Sequence, residues 1–214
     1  MATGEAEFAR RAVERLSLFS DAVAAIAITL LALDLPVPGG ATVSALWSSV
    51  RHSGSNYVAF LISFAVIAVA WSHHHDLFRY AVDMDAGLRQ LNMGWLLTIV
   101  LTPFATKLLI ARGLETTGAH AVRFGFYALV QVGSSALLLL LQRHLVSRRQ
   151  APATPAASAA NLTWQSYGQM LGFGLSIPLL FVWKLAWLLW IVVPLVVDRV
   201  SRRFRVIAPR QGSN

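Results

Sequence analysis

The chain has 214 residues, is 56% hydrophobic and 13% charged, and has a mean hydropathy of +0.59, far more apolar than one soluble core requires. It contains no cysteine, which excludes disulfide frameworks and thiolate metal sites. Its formal charge of +8 at pH 7 invites a nucleic-acid reading, but the basic residues segregate by side, the pattern that sets membrane topology, so no nucleic-acid partner is expected.

A hydrocarbon core about 30 Å thick asks for roughly 20 apolar residues per helix at about 1.5 Å each. The apolar runs are continuous rather than alternating, which argues for helices and against barrel strands. The expectation is an all-α integral membrane protein with one six-helix domain over 16–200. The helices fall at about Leu16 to Pro36, Asn56 to Asp76, Leu91 to Ala111, Ala121 to Leu141, Trp164 to Val182 and Leu185 to Val200. Residues 1–15 read as a cytoplasmic N-terminus, 142–163 as a linker and 201–214 as a basic cytoplasmic tail. The first apolar run has no small-residue cleavage site after it and is expected to be retained.

Arg15-Leu-Ser-Leu-Phe19-Ser20-Asp21 opens the first helix. The uncharged stretch from Ala22 to Leu33 is too short to cross alone, so Asp21 falls within the inner part of the membrane, where a lone carboxylate costs about 3 kcal/mol. It must face protein or a water-filled path and find a partner. Arg15 lies about 240° away around the helix, so the partner is expected on another helix. Two roles stand for Asp21, a hydrogen-bonded packing residue and an ion contact. Phe19, Val23, Ile26, Leu30 and Leu33 form an apolar stripe flanked by Thr29; by periodicity alone such a stripe faces lipid or core. Asp34 either ends the helix ahead of Pro36 or, in an oligomer, contributes a carboxylate ring at the outer mouth.

The second helix ends on His73-His74-His75-Asp76. Consecutive helical residues point about 100° apart, so at most one or two of these could serve one ion. No His-Glu-x-x-His, nucleophile motif, phosphate loop or dinucleotide fingerprint accompanies them, so no metal, cofactor or catalytic residue is expected and the chain is read as a non-enzyme. The third and fourth helices are uncharged from Gln90 to Thr106 and from Phe124 to Gln142. Gln150 to Asn161 is rich in Pro, Ala and Ser and reads as linker. Trp71, Trp95, Trp183, Trp187 and Trp190 read as interfacial anchors, and Gly168 with Gly172 as a close-packing pair. With both termini inside, all but five of the 18 Lys and Arg residues are cytoplasmic, the exceptions being Arg51, Lys107, Arg112, Arg123 and Lys184. No internal repeat is present, so a symmetric pore would require several copies.

Arg15-x-x-x-Phe19-Ser20-Asp21, then Ala-Ile-Ala-Ile-Thr-Leu-Leu and Leu33-Asp34-Leu35-Pro36-Val37-Pro38, resemble the first helix of bacterial members of the transmembrane protein 175 family, the endolysosomal-type potassium channels. The resemblance continues through Ser63-Phe64, Trp71-x-x-His74, Leu77-Phe78, Leu91-Asn92 and Thr102-Pro103-Phe104; the last three helices match in number and length only. It implies a homotetramer in the cell membrane that passes potassium ions down their gradient, with the first helices around the path. Ile26, Leu30 and Leu33 then match the hydrophobic constriction. Thr29 is the selectivity candidate, since no Thr-Val-Gly-Tyr-Gly filter occurs. Arg15, Phe19, Ser20, Asp21, Trp71, His74 and Asn92 form the signature and inter-helix network, with His74 expected beside Asp21. Asp76 departs from relatives, which commonly carry a basic residue there. The alternative is a proton-coupled secondary transporter using a membrane-embedded Asp and His, with Pro103 and Pro178 as helix breaks.

Overall fold

The computed structural model describes residues 2–111, 116–148, 156–179 and 186–207. Among them every regular element is helical: α1 (Ala2–Leu33), α2 (Val43–His52), α3 (Gly54–Phe78), α4 (Ala86–Ile110), α5 (Thr117–Ser147), α6 (Ala156–Leu179), a 3-10 turn (Ala186–Leu188) and α7 (Leu189–Ile207). Four of these contain stretches long and apolar enough to cross a membrane, Gly4–Leu33, Gly54–Phe78, Ala86–Ile110 and Thr117–Ser147, and a shorter apolar stretch covers Ala186–Val197. The linker residues 149–155, the Trp183 and Lys184 connection, Arg112 and the tail beyond Ile207 lie outside the described residues.

Several boundaries differ from the sequence expectation. α1 begins at Ala2 rather than Leu16, because its first turns are good helix formers with a Glu7 to Arg11 pair one turn apart. It stops at Leu33, ahead of Pro36, whose ring disfavours helix in the preceding residue. α5 and α6 both run into the stretch expected as linker, and α7 runs into the expected tail. The helix α2 is additional. Thr42 caps it by accepting from Ala45 N at 3.2 Å, and at ten residues it is too short to register as a span.

Polar caps and small residues decide how the helices meet. Asp85 caps α4, its Oδ1 accepting from Leu88 N at 2.7 Å. α4 sits at the centre, packed against α1, α3 and α5. Its Pro103 is buried within the helix, as bundle neighbours allow in membrane proteins. One apolar core joins Ala24, Ala27 and Leu31 of α1 to Ile67 and Ala70 of α3, Trp95 and Ile99 of α4 and Leu138 of α5. A second joins Phe124 and Tyr127 of α5 to Phe173 of α6 and Trp190 of α7. In the latter, α6 and α7 close to van der Waals distance because Gly168 and Gly172 present no side chain; a Cβ on Gly172 would stand 2.8 Å from the Leu189 carbonyl oxygen.

The bundle has two chemically distinct ends. The N-terminal part of α1, the C-terminus of α3, the start of α4 and the end of α5 meet at one end, where His144 Nε2 lies 2.9 Å from Asp85 Oδ2. Arg10, Arg79, Arg89, Arg143 and Arg148 collect there. At the far end Tyr57 OH donates to Pro36 O at 2.7 Å and Lys107 Nζ pairs with Asp34 Oδ1 at 2.8 Å, tying the end of α1 to α3 and α4.

Candidate functional site

α1 has two faces of opposite kind. Ser20, Ala24, Ala27 and Leu31 are buried against the rest of the bundle, and three of the four are small, which lets helices approach closely where lipid offers no hydrophobic drive. Val23, Leu30, Ile26 and Leu33 stand roughly 70°, 90°, 130° and 150° from the middle of that buried row at about 100° per residue. Their exposure follows the angle: Val23 is partly buried, while Leu30, Ile26 and Leu33 are 42%, 59% and 79% exposed. The stripe expected from the sequence therefore splits, with Val23 leaving it for the core. Phe19 remains on its exposed side.

Thr29 flanks this face and is exposed. Its hydroxyl donates to Ile26 O at 2.8 Å, which spends its proton within the helix and leaves the oxygen lone pairs free to accept or to face a cation. Asp34 follows the last turn, where Lys107 holds it; both side chains are substantially exposed.

The network expected around the signature divides into two branches. Asp21 Oδ1 accepts from Trp71 Nε1 at 2.8 Å, so its partner comes from α3, and it is Trp71 rather than His74 that makes the bond. His74 and Trp71 are three residues apart on one helix, and His74 turns instead to α4: its Nε2 lies 2.7 Å from Asn92 Oδ1. Asn92 Nδ2 then donates to Ser20 Oγ at 2.9 Å, and Ser20 Oγ donates to Leu16 O at 2.8 Å. Ser20, His74 and Asn92 have no solvent exposure. Ser20 and Asn92 are hydrogen-bonded through the chain, which lowers the cost of burying them, whereas His74 Nδ1 is buried and meets no hydrogen-bond partner among the described residues.

Stacking fixes the His74 ring between two others. Its plane lies 7° from that of Trp95 and 24° from that of Phe78, with centroids 4.2 Å apart in both pairs. Trp95 is fully buried, so it is a core residue and not an interfacial anchor. The same correction applies to Trp190, which is buried, stacks on Tyr127 and donates to Ser176 Oγ at 2.8 Å; Trp71 is exposed, with its Nε1 bonded to Asp21. Trp183 lies outside the described residues.

Arg15 is exposed on α1 and has no ion-pair partner among the described residues. The three consecutive histidines diverge: His73 is buried beside Gln165 of α6, His74 joins Asn92, and His75 is exposed against Trp71. Asp76 faces Arg79 at 3.8 Å. No group of three His, Cys, Asp or Glu among the described residues could hold a metal ion.

A second polar cluster escapes sequence reading. Thr106 Oγ1 donates to Ser63 Oγ at 2.8 Å, Ser63 Oγ lies 3.0 Å from Tyr127 OH, and Gln131 Nε2 donates to Thr102 Oγ1 at 3.3 Å. Its signal is Thr98, Thr102 and Thr106 at four-residue intervals, one polar row down an otherwise apolar helix.

A family model for the endosomal/lysosomal potassium channel TMEM175 matches residues 15–103. A potassium channel of Streptomyces collinus is 34% identical over 172 residues, covering 78% of this chain and 82% of that one. The chain belongs to the TMEM175 family. A potassium channel of Chamaesiphon minutus is 41% identical over 97 residues, 44% of this chain and 48% of that one. The crystal structure of a lysosomal potassium-selective channel TMEM175 homolog from Chamaesiphon minutus resembles the whole fold, with a TM-score of 0.69 and 28% identity over 92% of this chain and 100% of the other. Both branches of the α1 network, and the exposed face of α1, fall inside the stretch that the TMEM175 model matches.

Proposed function

We propose that the chain is one subunit of a potassium-selective channel of the cell membrane, passive in mechanism and built from four copies around a shared axis. Each subunit contributes six spanning helices with both termini in the cytoplasm, so the arginine-rich end faces inward, in keeping with the bias of basic residues toward the cytoplasmic side. The permeant ion is K+, and no cofactor takes part.

The observation that carries this reading is the division of α1: a small-residue face docked on α3 and α4, and opposite it Ile26, Leu30 and Leu33 left uncovered by the subunit's own helices. Four such faces turned toward one axis make an oily collar. Branched aliphatic side chains at that distance exclude water when close and admit a hydrated ion when they part. Thr29, whose oxygen lone pairs are not used within the helix, supplies a ring of acceptors beside the collar that replaces part of the hydration shell of K+.

The docked face serves the same purpose from behind. Trp71 holds Asp21, and Asn92 bridges Ser20 to His74, so α1 is pinned near its cytoplasmic third by hydrogen bonds and near its outer end by the Asp34 to Lys107 pair. That pair offsets the charge of Asp34 at the proposed outer mouth. Movement of the collar then requires α1 to pivot or rotate between the two fixed points.

The test is the reversal potential of the purified chain in a planar bilayer under opposed potassium and sodium gradients. A value near the potassium equilibrium potential supports the proposal. A value that follows sodium, or saturable uptake driven by a proton gradient in liposomes, contradicts it, the latter in favour of a transporter.

A further inference from the structure

At the arginine-rich end α1 outruns its neighbours. α3 stops at Phe78, Arg79 N donates back to His75 O at 3.1 Å, and Tyr80 and Ala81 turn the chain away. α1 continues to Ala2, so the step between the two helices leaves a cavity of about 370 Å³. Val13 and Phe78, both nearly fully buried, form its apolar side. Arg10, Glu14 and Ser17 line it from α1, and His75 and Arg79 from the end of α3.

The depth of this cavity suits a headgroup. Arg10 precedes Leu16, the start of the apolar stretch, by six residues, roughly 9 Å along a helix at about 1.5 Å per residue. The polar layer on each side of a bilayer is about 5 to 8 Å thick. Arg10 therefore lies at or just beyond the phosphate level.

The charges favour an anion. Arg10 has no carboxylate partner among the described residues. Arg79 has only Asp76, at 3.8 Å and with both side chains more than half exposed, a loose contact that solvent screens. Glu14 is the one carboxylate on the wall, against two guanidiniums, an imidazole and a hydroxyl. Paired guanidiniums facing one cavity from two helices match the several oxygens of a phosphate better than they match a carboxylate or a halide.

We propose that this cavity binds a phosphate group, carried either by an anionic phospholipid of the facing leaflet or by a free phosphate ion. Basic pockets between helix ends are recognised sites for such headgroups. The inference is independent of conduction, because it is read as binding.

Native mass spectrometry of the full chain in detergent tests it, with phosphatidic acid, phosphatidylcholine and inorganic phosphate as probes. Wild-type protein should retain phosphatidic acid about tenfold better than phosphatidylcholine, and Arg10→Gln with Arg79→Gln together should abolish the difference. Arg89→Gln with Arg148→Gln, exposed arginines at the same end but outside the cavity, should leave it intact. Displacement of the lipid by excess inorganic phosphate assigns the site to the free anion; retention assigns it to the lipid. Equal binding of the two lipids with no phosphate adduct, or equal loss in both double variants, overturns the proposal.

Discussion

Trp71 Nε1 and Asp21 Oδ1 stand 2.8 Å apart across the α1 to α3 boundary, one indole proton holding the carboxylate of the first helix. An indole is suited to this task, since its N–H can only donate and its ring packs without demanding further polar partners.

Replacing Trp71 with Phe keeps an aromatic ring but removes that donor. Trp71→Phe should lose about 1 to 2 kcal/mol of stability, measured as a lower unfolding midpoint of the detergent-solubilised protein. Asp21→Asn, which retains a carbonyl acceptor for the indole, should lose less. Equal stability of Trp71→Phe and wild type would show that the bond holds nothing together.

The α6 to α7 contact offers a steric test with an internal control. A methyl group on Gly172 meets the Leu189 carbonyl oxygen at 2.8 Å, whereas one on Gly174 meets nothing within 4 Å. Gly172→Ala should destabilise by about 1 to 3 kcal/mol through overpacking, and Gly174→Ala should melt with the wild type. The same midpoint measurement distinguishes them; parallel behaviour would mean that α7 does not approach α6 so closely.

Much of this architecture is legible in the sequence and some of it is not, for identifiable reasons. Charge-free runs such as Phe124 to Gln142 announce helices in a membrane, because only apolar length is required. Register between helices leaves no such trace. Trp71 and His74 share a helical face, and nothing in their spacing says which reaches Asp21; packing decides, with His74 drawn away by Asn92 and clamped between Phe78 and Trp95. Tryptophan composition misleads in the same way, since an indole buried in a bundle core and one at a lipid headgroup read identically. The α2 helix is missed because its ten residues show amphipathic character on a scale too short for a membrane-span window. Val23 belongs by period to the apolar stripe, yet it sits at the edge nearer the buried row, a difference of angle that spacing alone does not rank.

The collar residues should differ in effect by how far they project. Leu30→Ala and Ile26→Ala remove bulk from the exposed face and should raise resting potassium leak severalfold while narrowing the gap between potassium and sodium permeability. Liposome flux with each cation in turn reads both quantities. Unchanged leak and unchanged preference in both variants would remove these side chains from the path.

The most direct measurement uses the absence of cysteine from the chain. A single Leu30→Cys substitution creates the sole thiol, and silver ion, a soft monovalent cation that thiolates hold tightly, then reports whether permeating ions pass it. Leu97→Cys, exposed on α4, serves as the comparison. Silver should block potassium currents in Leu30→Cys and leave Leu97→Cys unaffected; currents through Leu30→Cys that persist unchanged in silver would contradict the placement of α1 along the ion path.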